Sequence, residues 1–359
     1  MRDFLPRALT GARRLSKRVP RRMASLPILF PSAKAANAIV AGIPCAARAA
    51  IGREGELVLV VPGGWEPSLL TQAELARLSR ADCTVFADED ALGELALDGL
   101  MPDIEPRPVA DILASPAYAD PAAASHAQAQ AARRIIAATG KPTDGLVSRT
   151  INRPVSQFLS RQLLRFAGVR PIHATIAASL IGVVMALALF LGGVPGLYAG
   201  AVLFQLASMV DGVDGEIARA THRSSKLGAT LDTAGDALTN LAFIGGVVFN
   251  LWQQGAMRGA QVGLLGLVWL ALGLTLLGAQ SLLRGGPLSF DALKHEASAK
   301  RSPFLQLLGK LASRDVYALA FAVLVLIGLA EAAMIAFALA VLLWLGLVLV
   351  AITRPLWQR

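Results

Sequence analysis

An all-α bundle of six membrane-spanning helices, preceded by a small soluble α/β domain, is the fold class this sequence predicts. Three observations lead there. Apolar residues fill 55% of the 359 positions and charged ones only 16%, and the mean hydropathy is +0.55, a balance that soluble domains rarely tolerate. The apolarity concentrates after residue 170, in stretches close to the ~20 residues that a bilayer crossing needs. Before that point, short apolar runs alternate with helical patterns instead.

Residues 1–25 form a basic arm with eight Arg or Lys and one acid, and no apolar run long enough for a secretory signal. Phe4, Leu5, Leu9, Ala12 and Leu15 make a ragged stripe on a helix, so an arm lying on acidic lipid and a solvated tail both remain open. Residues 26–145 read as the soluble domain. LPILF (26–30), ELVLVVPGG (56–64) and CTVFAD (83–88) suit buried strands, with helical patterns in TQAELARLSR and in the alanine-rich 121–139. Alternating strand and helix implies a parallel sheet. Pro116, Pro121 and Pro142 punctuate the way out. A juxtamembrane amphipathic segment (146–170) leads into the membrane domain (171–359). Its helices are expected near 173–193, 195–219, 232–253, 260–283, 314–331 and 333–353.

Basic residues predict orientation. Arg219, Arg223 and Lys226 lie between the second and third helices, and Arg284, Lys294, Lys300, Arg301, Lys310 and Arg314 between the fourth and fifth. The intervening connections offer only Arg258 and Glu331. Lys and Arg accumulate on the cytoplasmic side, which places both termini there, in an inner (cytoplasmic) membrane. The net charge of +9 then matches anionic lipid, and no nucleic-acid-binding module is present. Cys45 and Cys83 have no paired spacing and read as reduced thiols.

The densest chemical signal lies between residues 211 and 236, DGVDGEIARATHRSSKLGATLDTAGD. Asp211 and Asp214 are three apart and Asp232 and Asp236 four apart, so each pair shares a helix face. Four carboxylates held that closely repel one another and resist desolvation. Hard divalent cations, Mg²⁺ or Mn²⁺, remove that conflict, and a phosphate-bearing substrate completes the coordination.

This stretch resembles the signature of the CDP-alcohol phosphotransferases, D-x-x-D-G-x-x-A-R, eight residues, then G-x-x-x-D-x-x-x-D. Asp211, Asp214, Gly215, Ala218, Arg219, Gly228, Asp232 and Asp236 fill it without a gap. A looser likeness covers roughly residues 146–359. Pro171 and Thr175 match the family's Pro-Asn-x-x-Thr, while Ile172 replaces the asparagine and Ala237 stands where relatives often have arginine. The segment SAKAANAIVAGIPCAARAAI faintly resembles the part of sugar-nucleotidyltransferases that follows their nucleotide loop. The loop itself is missing: PSAKAAN occupies its place, without the glycines whose amides would cradle phosphate. A degenerate or regulatory domain is therefore expected. Asp88, Glu89 and Asp90 read as a solvated loop.

The resemblance implies transfer of a phosphoalcohol group from a CDP-alcohol to an acceptor hydroxyl, releasing CMP, in phospholipid or related phosphodiester synthesis. It implies two metal ions on Asp211, Asp214, Asp232 and Asp236, with Asp236 also as general base. Gly215, Ala218, Arg219 and Gly228 would receive the donor, and a homodimer is implied. Arg223, Lys226, Arg284 and Arg314 are candidates for a phosphate on the acceptor, which favours a polyol phosphate. His222 reads as a solvated loop residue. An ion transporter and an inactive metal- or nucleotide-binding membrane protein are the alternatives.

Overall fold

The computed structural model describes residues 28–30, 32–51, 54–61, 65–87, 121–141, 144–283 and 314–357. The basic arm, Gly63, Gly64, the acids at 88–90, Arg284 and the 285–313 loop lie outside them. The chain divides into two compact units, one of residues 1–139, 159–169 and 216–223, the other of residues 140–158, 170–215 and 224–359.

In the first unit, β1 (Ile28–Leu29), β4 (Glu54–Val60) and β5 (Arg80–Ala87) make a parallel sheet in the order β1-β4-β5. The three apolar runs of the sequence supply these strands. Between β1 and β4 lie α1 (Ala33–Asn37), the hairpin β2 (Ile39–Val40) and β3 (Ile43–Pro44), and α2 (Cys45–Ala49). The hairpin turns on Ala41 and Gly42, with φ of 48° and 85°. Two successive left-handed residues match the right-handed twist of the flanking strands. Helix α3 (Leu69–Leu78) precedes β5, and its N-terminus is capped by the Ser68 hydroxyl accepting from the Thr71 amide at 3.2 Å. Phe30, Ile43, Leu59, Val61 and Leu75 bury themselves with the alanines of α1 and α2. Helix α4 (Pro121–Ala137) follows, in the alanine-rich stretch.

A π-helical turn at Ser148–Asn152 runs into α5 (Arg153–Leu163). The apolar helices come next: α6 (Pro171–Leu191), α7 (Gly193–Ala220), α8 (Lys226–Gln253), α9 (Met257–Leu283), α10 (Arg314–Leu326) and α11 (Ala330–Trp357). Pro171 opens α6 at a position whose amide would have no helical partner anyway. Five of these six are long and apolar enough to cross a bilayer, which makes this a multi-pass membrane protein. Helix α10 is shorter than the expected 314–331. Its 13 residues rise only ~20 Å. It stops because Gly328 adopts φ +82° and the Leu329 amide turns back to the Leu324 carbonyl at 2.8 Å, a Schellman closure.

The membrane core gathers Met185 and Leu189 from α6, Phe204 from α7, Phe243 and Val247 from α8, Phe321 from α10, and Met334 and Phe337 from α11. Phe204 and Phe243 stack with centroids 3.9 Å apart, tying α7 to α8. Asn250 donates its amide to the Leu189 carbonyl, satisfying a polar side chain where water is scarce.

Candidate active site

Helix α7 continues past its apolar stretch into the polar sequence 211–220, and α8 begins in the equally polar 226–236. Both are 28 residues, ~42 Å at 1.5 Å per residue, so both exceed the ~30 Å hydrocarbon thickness. The aspartates sit in these extensions. Asp211, Asp232 and Asp236, all half-buried, each present a carboxylate oxygen, and the three oxygens lie within 4.8 Å of one another. Such an all-oxygen donor set fits a hard divalent cation. Asp211 and Asp232 line a cavity with Asp214, Thr175, Ser179, Gly235 and Thr239.

Asp214 stands apart from that trio. It is buried, and its Oδ2 accepts a hydrogen bond from the Thr175 hydroxyl at 2.7 Å. Thr175 thus acquires a physical role that its spacing from Pro171 did not reveal. Gly215 and Ala218 follow Asp211 at four and seven residues, on the same helical face. The Gly228 amide is taken by the Ser225 hydroxyl, 3.0 Å away, which caps α8. Lys226 is the exposed first residue of that helix.

Arg153 carries no signal of its role in the sequence. Its Nε and Nη2 fork onto Asp144 at 2.8 and 2.9 Å. A Cβ on Gly212, between the first two motif aspartates, would lie 3.3 Å from Arg153 Nη1. A methyl group there would make a tight contact, and the guanidinium would have to give by a few tenths of an ångström. Burial pushes the Asp144 carboxyl up. Hydrogen bonds from Arg153 and the Lys141 amide, with the charges of both side chains, outweigh it and hold the pKa below the ordinary carboxylate value.

Residues 216–223 belong to the first unit, and their partners are there. Glu216 is fully buried and accepts from Ser160 at 2.6 Å. Arg219 donates Nε to the Thr139 carbonyl at 2.8 Å. Arg223 pairs with Glu74. His222 is exposed and takes φ 52°, closing α7 as the Arg223 amide returns to the Ala218 carbonyl at 2.8 Å. Partial desolvation of the ring lowers its pKa, and the charges of Arg48 and Arg77 lower it further. Arg314 opens α10, with its side chain outside the described residues.

Residues 170–352 match a model of the CDP-alcohol phosphatidyltransferase family. Among curated proteins, a bifunctional IPC transferase and DIPP synthase of Aquifex aeolicus is 38% identical over 109 residues, 30% of this chain and 24% of that protein. The protein of that name from Thermococcus kodakarensis is 38% identical over 115 residues, 32% and 25% of the two chains. A phosphatidylinositol phosphate synthase of Mycobacteroides abscessus is 36% identical over 105 residues, 29% and 46%. The matched part of this chain thus spans about a quarter of the length of the first two relatives and under half of the third. The family match takes in just over half of the chain, from the residue before α6 into the last turns of α11, and so the chain belongs to the CDP-alcohol phosphatidyltransferase family.

Proposed function

We propose that this protein transfers a phosphoalcohol group from a CDP-alcohol to the hydroxyl of a polyol phosphate, releasing CMP. The observation that carries the reading is the convergence of Asp211, Asp232 and Asp236 within 4.8 Å, in a chain of this family. The acceptor hydroxyl loses its proton and its oxygen bonds to the phosphorus that bears the donor's alcohol. The bond from that phosphorus to the CMP oxygen breaks, and CMP leaves with the electron pair. Such chemistry needs positioning and charge neutralisation more than covalent help. Asp211, Asp214, Asp232 and Asp236 would hold two Mg²⁺ or Mn²⁺ ions, which supply charge neutralisation to the pyrophosphate and the leaving oxygen. Thr175 keeps the Asp214 carboxylate oriented. Asp236 accepts the proton of the incoming hydroxyl.

Gly215, Ala218 and Gly228 leave room for the donor, and Arg219 presents a planar fork to its pyrophosphate. Lys226, Arg284 and Arg314 are the candidates for an acceptor phosphate, whereas Arg223 is already paired with Glu74. The relative named as a phosphatidylinositol phosphate synthase supports an inositol phosphate ahead of glycerol phosphate. Basic loops favour an active site and both termini facing the cytoplasm, with the protein acting in the lipid bilayer as a homodimer. The N-terminal α/β region, lacking a phosphate-cradling loop, makes no CDP-polyol from CTP.

Purified full-length protein with Mg²⁺ and a panel of CDP-alcohols and polyol phosphates should release CMP. No release with any pair would overturn the reading.

A further inference from the structure

We propose that the N-terminal α/β region serves the transfer reaction by gripping the last turn of α7, with Arg48, Glu74 and Arg77 as positioning residues for Arg219. The inference rests on the transferase reading above. A helix ends with carbonyls that lack helical partners and carry the negative end of its dipole. At the end of α7, three successive carbonyls accept from two guanidinium groups. Arg48 Nη2 reaches the Ala220 oxygen at 2.8 Å. Arg77 reaches Thr221 through Nη2 at 2.8 Å and His222 through Nη1 at 3.0 Å. Water satisfies such carbonyls at an ordinary helix end. Here charge-assisted bonds from residues more than 140 positions away do it.

Each gripping side chain is itself held. Arg48 also donates to the Val40 and Ala41 carbonyls, at 2.8 and 3.0 Å, so it ties the β2–β3 hairpin to the helix end. Its burial pulls the guanidinium pKa down to about 10, which leaves it charged near neutrality. Arg77 forks onto Glu74 Oε2 at 3.0 and 2.6 Å, while Oε1 of the same carboxylate takes Arg223. The Glu74 side chain is only 6% exposed, so its two ion pairs are shielded from the screening that weakens surface pairs. The turn of the hairpin packs tightly here as well: a Cβ on Gly42 would stand 3.0 Å from Thr221 Cγ2.

Arg219 lies in the gripped turn, one residue before Ala220, and its Nε is anchored by the Thr139 carbonyl. The last turn of a helix frays most readily. Fraying or rotation there would swing Arg219, whereas Asp214 and Asp211, more than one and about two turns further back, would stay in place. The grip therefore acts on donor binding more than on the metal-binding acids or the acceptor. It gives the α/β region a task that requires no nucleotide loop of its own.

Full-length Arg77→Ala, Arg77→Lys and Glu74→Gln proteins test this by steady-state kinetics and by hydrogen exchange of the amides. Arg77→Ala should raise the donor KM about tenfold, the scale of one misplaced charge-assisted contact. The acceptor KM should stay within about twofold. Amides of 219–228 should exchange faster while those of 243–251 do not change. Arg77→Lys restores the charge without the fork and should recover only part of the loss. Should Arg77→Ala fail to fold, Glu74→Gln must show the same pattern in milder form. A donor KM that does not move, or moves equally with the acceptor KM, would overturn the proposal, as would unchanged exchange at 219–228. A wild-type protein that releases no CMP would sink the transferase reading and this role with it, and the exchange data would then decide whether the grip itself exists.

Discussion

Two neighbouring stretches of α7 treat charge in opposite ways. Around Asp211, carboxylates from α7 and α8 converge, three of them within 4.8 Å. Around residues 220–223, one buried carboxylate, Glu74, is divided between two arginines, and a third arginine caps the backbone. Like charges gathered in a cavity store repulsion that a cation and an anionic substrate relieve. Opposite charges paired out of solvent complete themselves, and breaking one such pair leaves an uncompensated charge. The first arrangement is built to receive something and the second to hold something still. Residues 211–215 and 216–220 are successive parts of α7.

The sharpest break of this contrast lies at the acids. On the proposed reading, Asp211→Asn should lose roughly 10³-fold or more in CMP release, together with donor affinity, because an amide cannot replace an anionic metal ligand. Asp236→Asn should lose comparable turnover yet keep much of its CDP-alcohol binding, measured by calorimetry. Near-normal turnover in either variant would erase the distinction between the receiving cluster and an ordinary polar surface.

Thr175 sharpens it from the other side, since its hydroxyl orients Asp214 in the way a brace does. Thr175→Val removes a hydrogen bond to a charged group and should cost about 10- to 100-fold in kcat/KM. Thr175→Ser should retain most of the activity. Activity kept by Thr175→Val but lost in Thr175→Ser would mean that the methyl contact, rather than the bond at 2.7 Å, is what matters.

Gly42→Ala probes the bracing side without touching a charge. Its φ of +85° and the 2.6 Å approach of its notional Cβ to Leu164 should destabilise the first unit by about 1–2 kcal/mol, read as a lower thermal midpoint in detergent. A midpoint as high as wild type would show that the hairpin is not pinned against Leu164 and Thr221.

The smallest effect is expected at Asp144, whose folded pKa is depressed by Arg153 and Lys141. A depressed carboxyl contributes stability above its unfolded pKa and loses it as pH falls through the folded value. As pH falls below the ordinary aspartate value of about 4, wild-type thermal midpoints should therefore fall more steeply than those of Asp144→Asn. Parallel curves would mean that the Asp144–Arg153 pair adds nothing beyond packing.

Local pattern alone determined a good deal of this protein. Apolar lengths marked out the helices from α6 to α11, since a membrane span must satisfy its backbone internally and advertises itself by length. Helical spacing put Asp211 with Asp214, and Asp232 with Asp236, on common faces, and alternation foretold the parallel strands β1, β4 and β5. What tertiary structure decided was which side chain meets which across long stretches of chain. Thr175 reaches Asp214 over 39 positions, and Glu74 reaches Arg223 over 149. No periodicity carries such a pairing, because it depends on helix ends meeting in space rather than on residues sharing a face. For the same reason Arg153 against Gly212, the Schellman stop at Gly328 that shortens α10, and the grip on α7 came only with the fold. Charge type and spacing reveal where chemistry gathers, whereas the partners that hold it in place are chosen by packing.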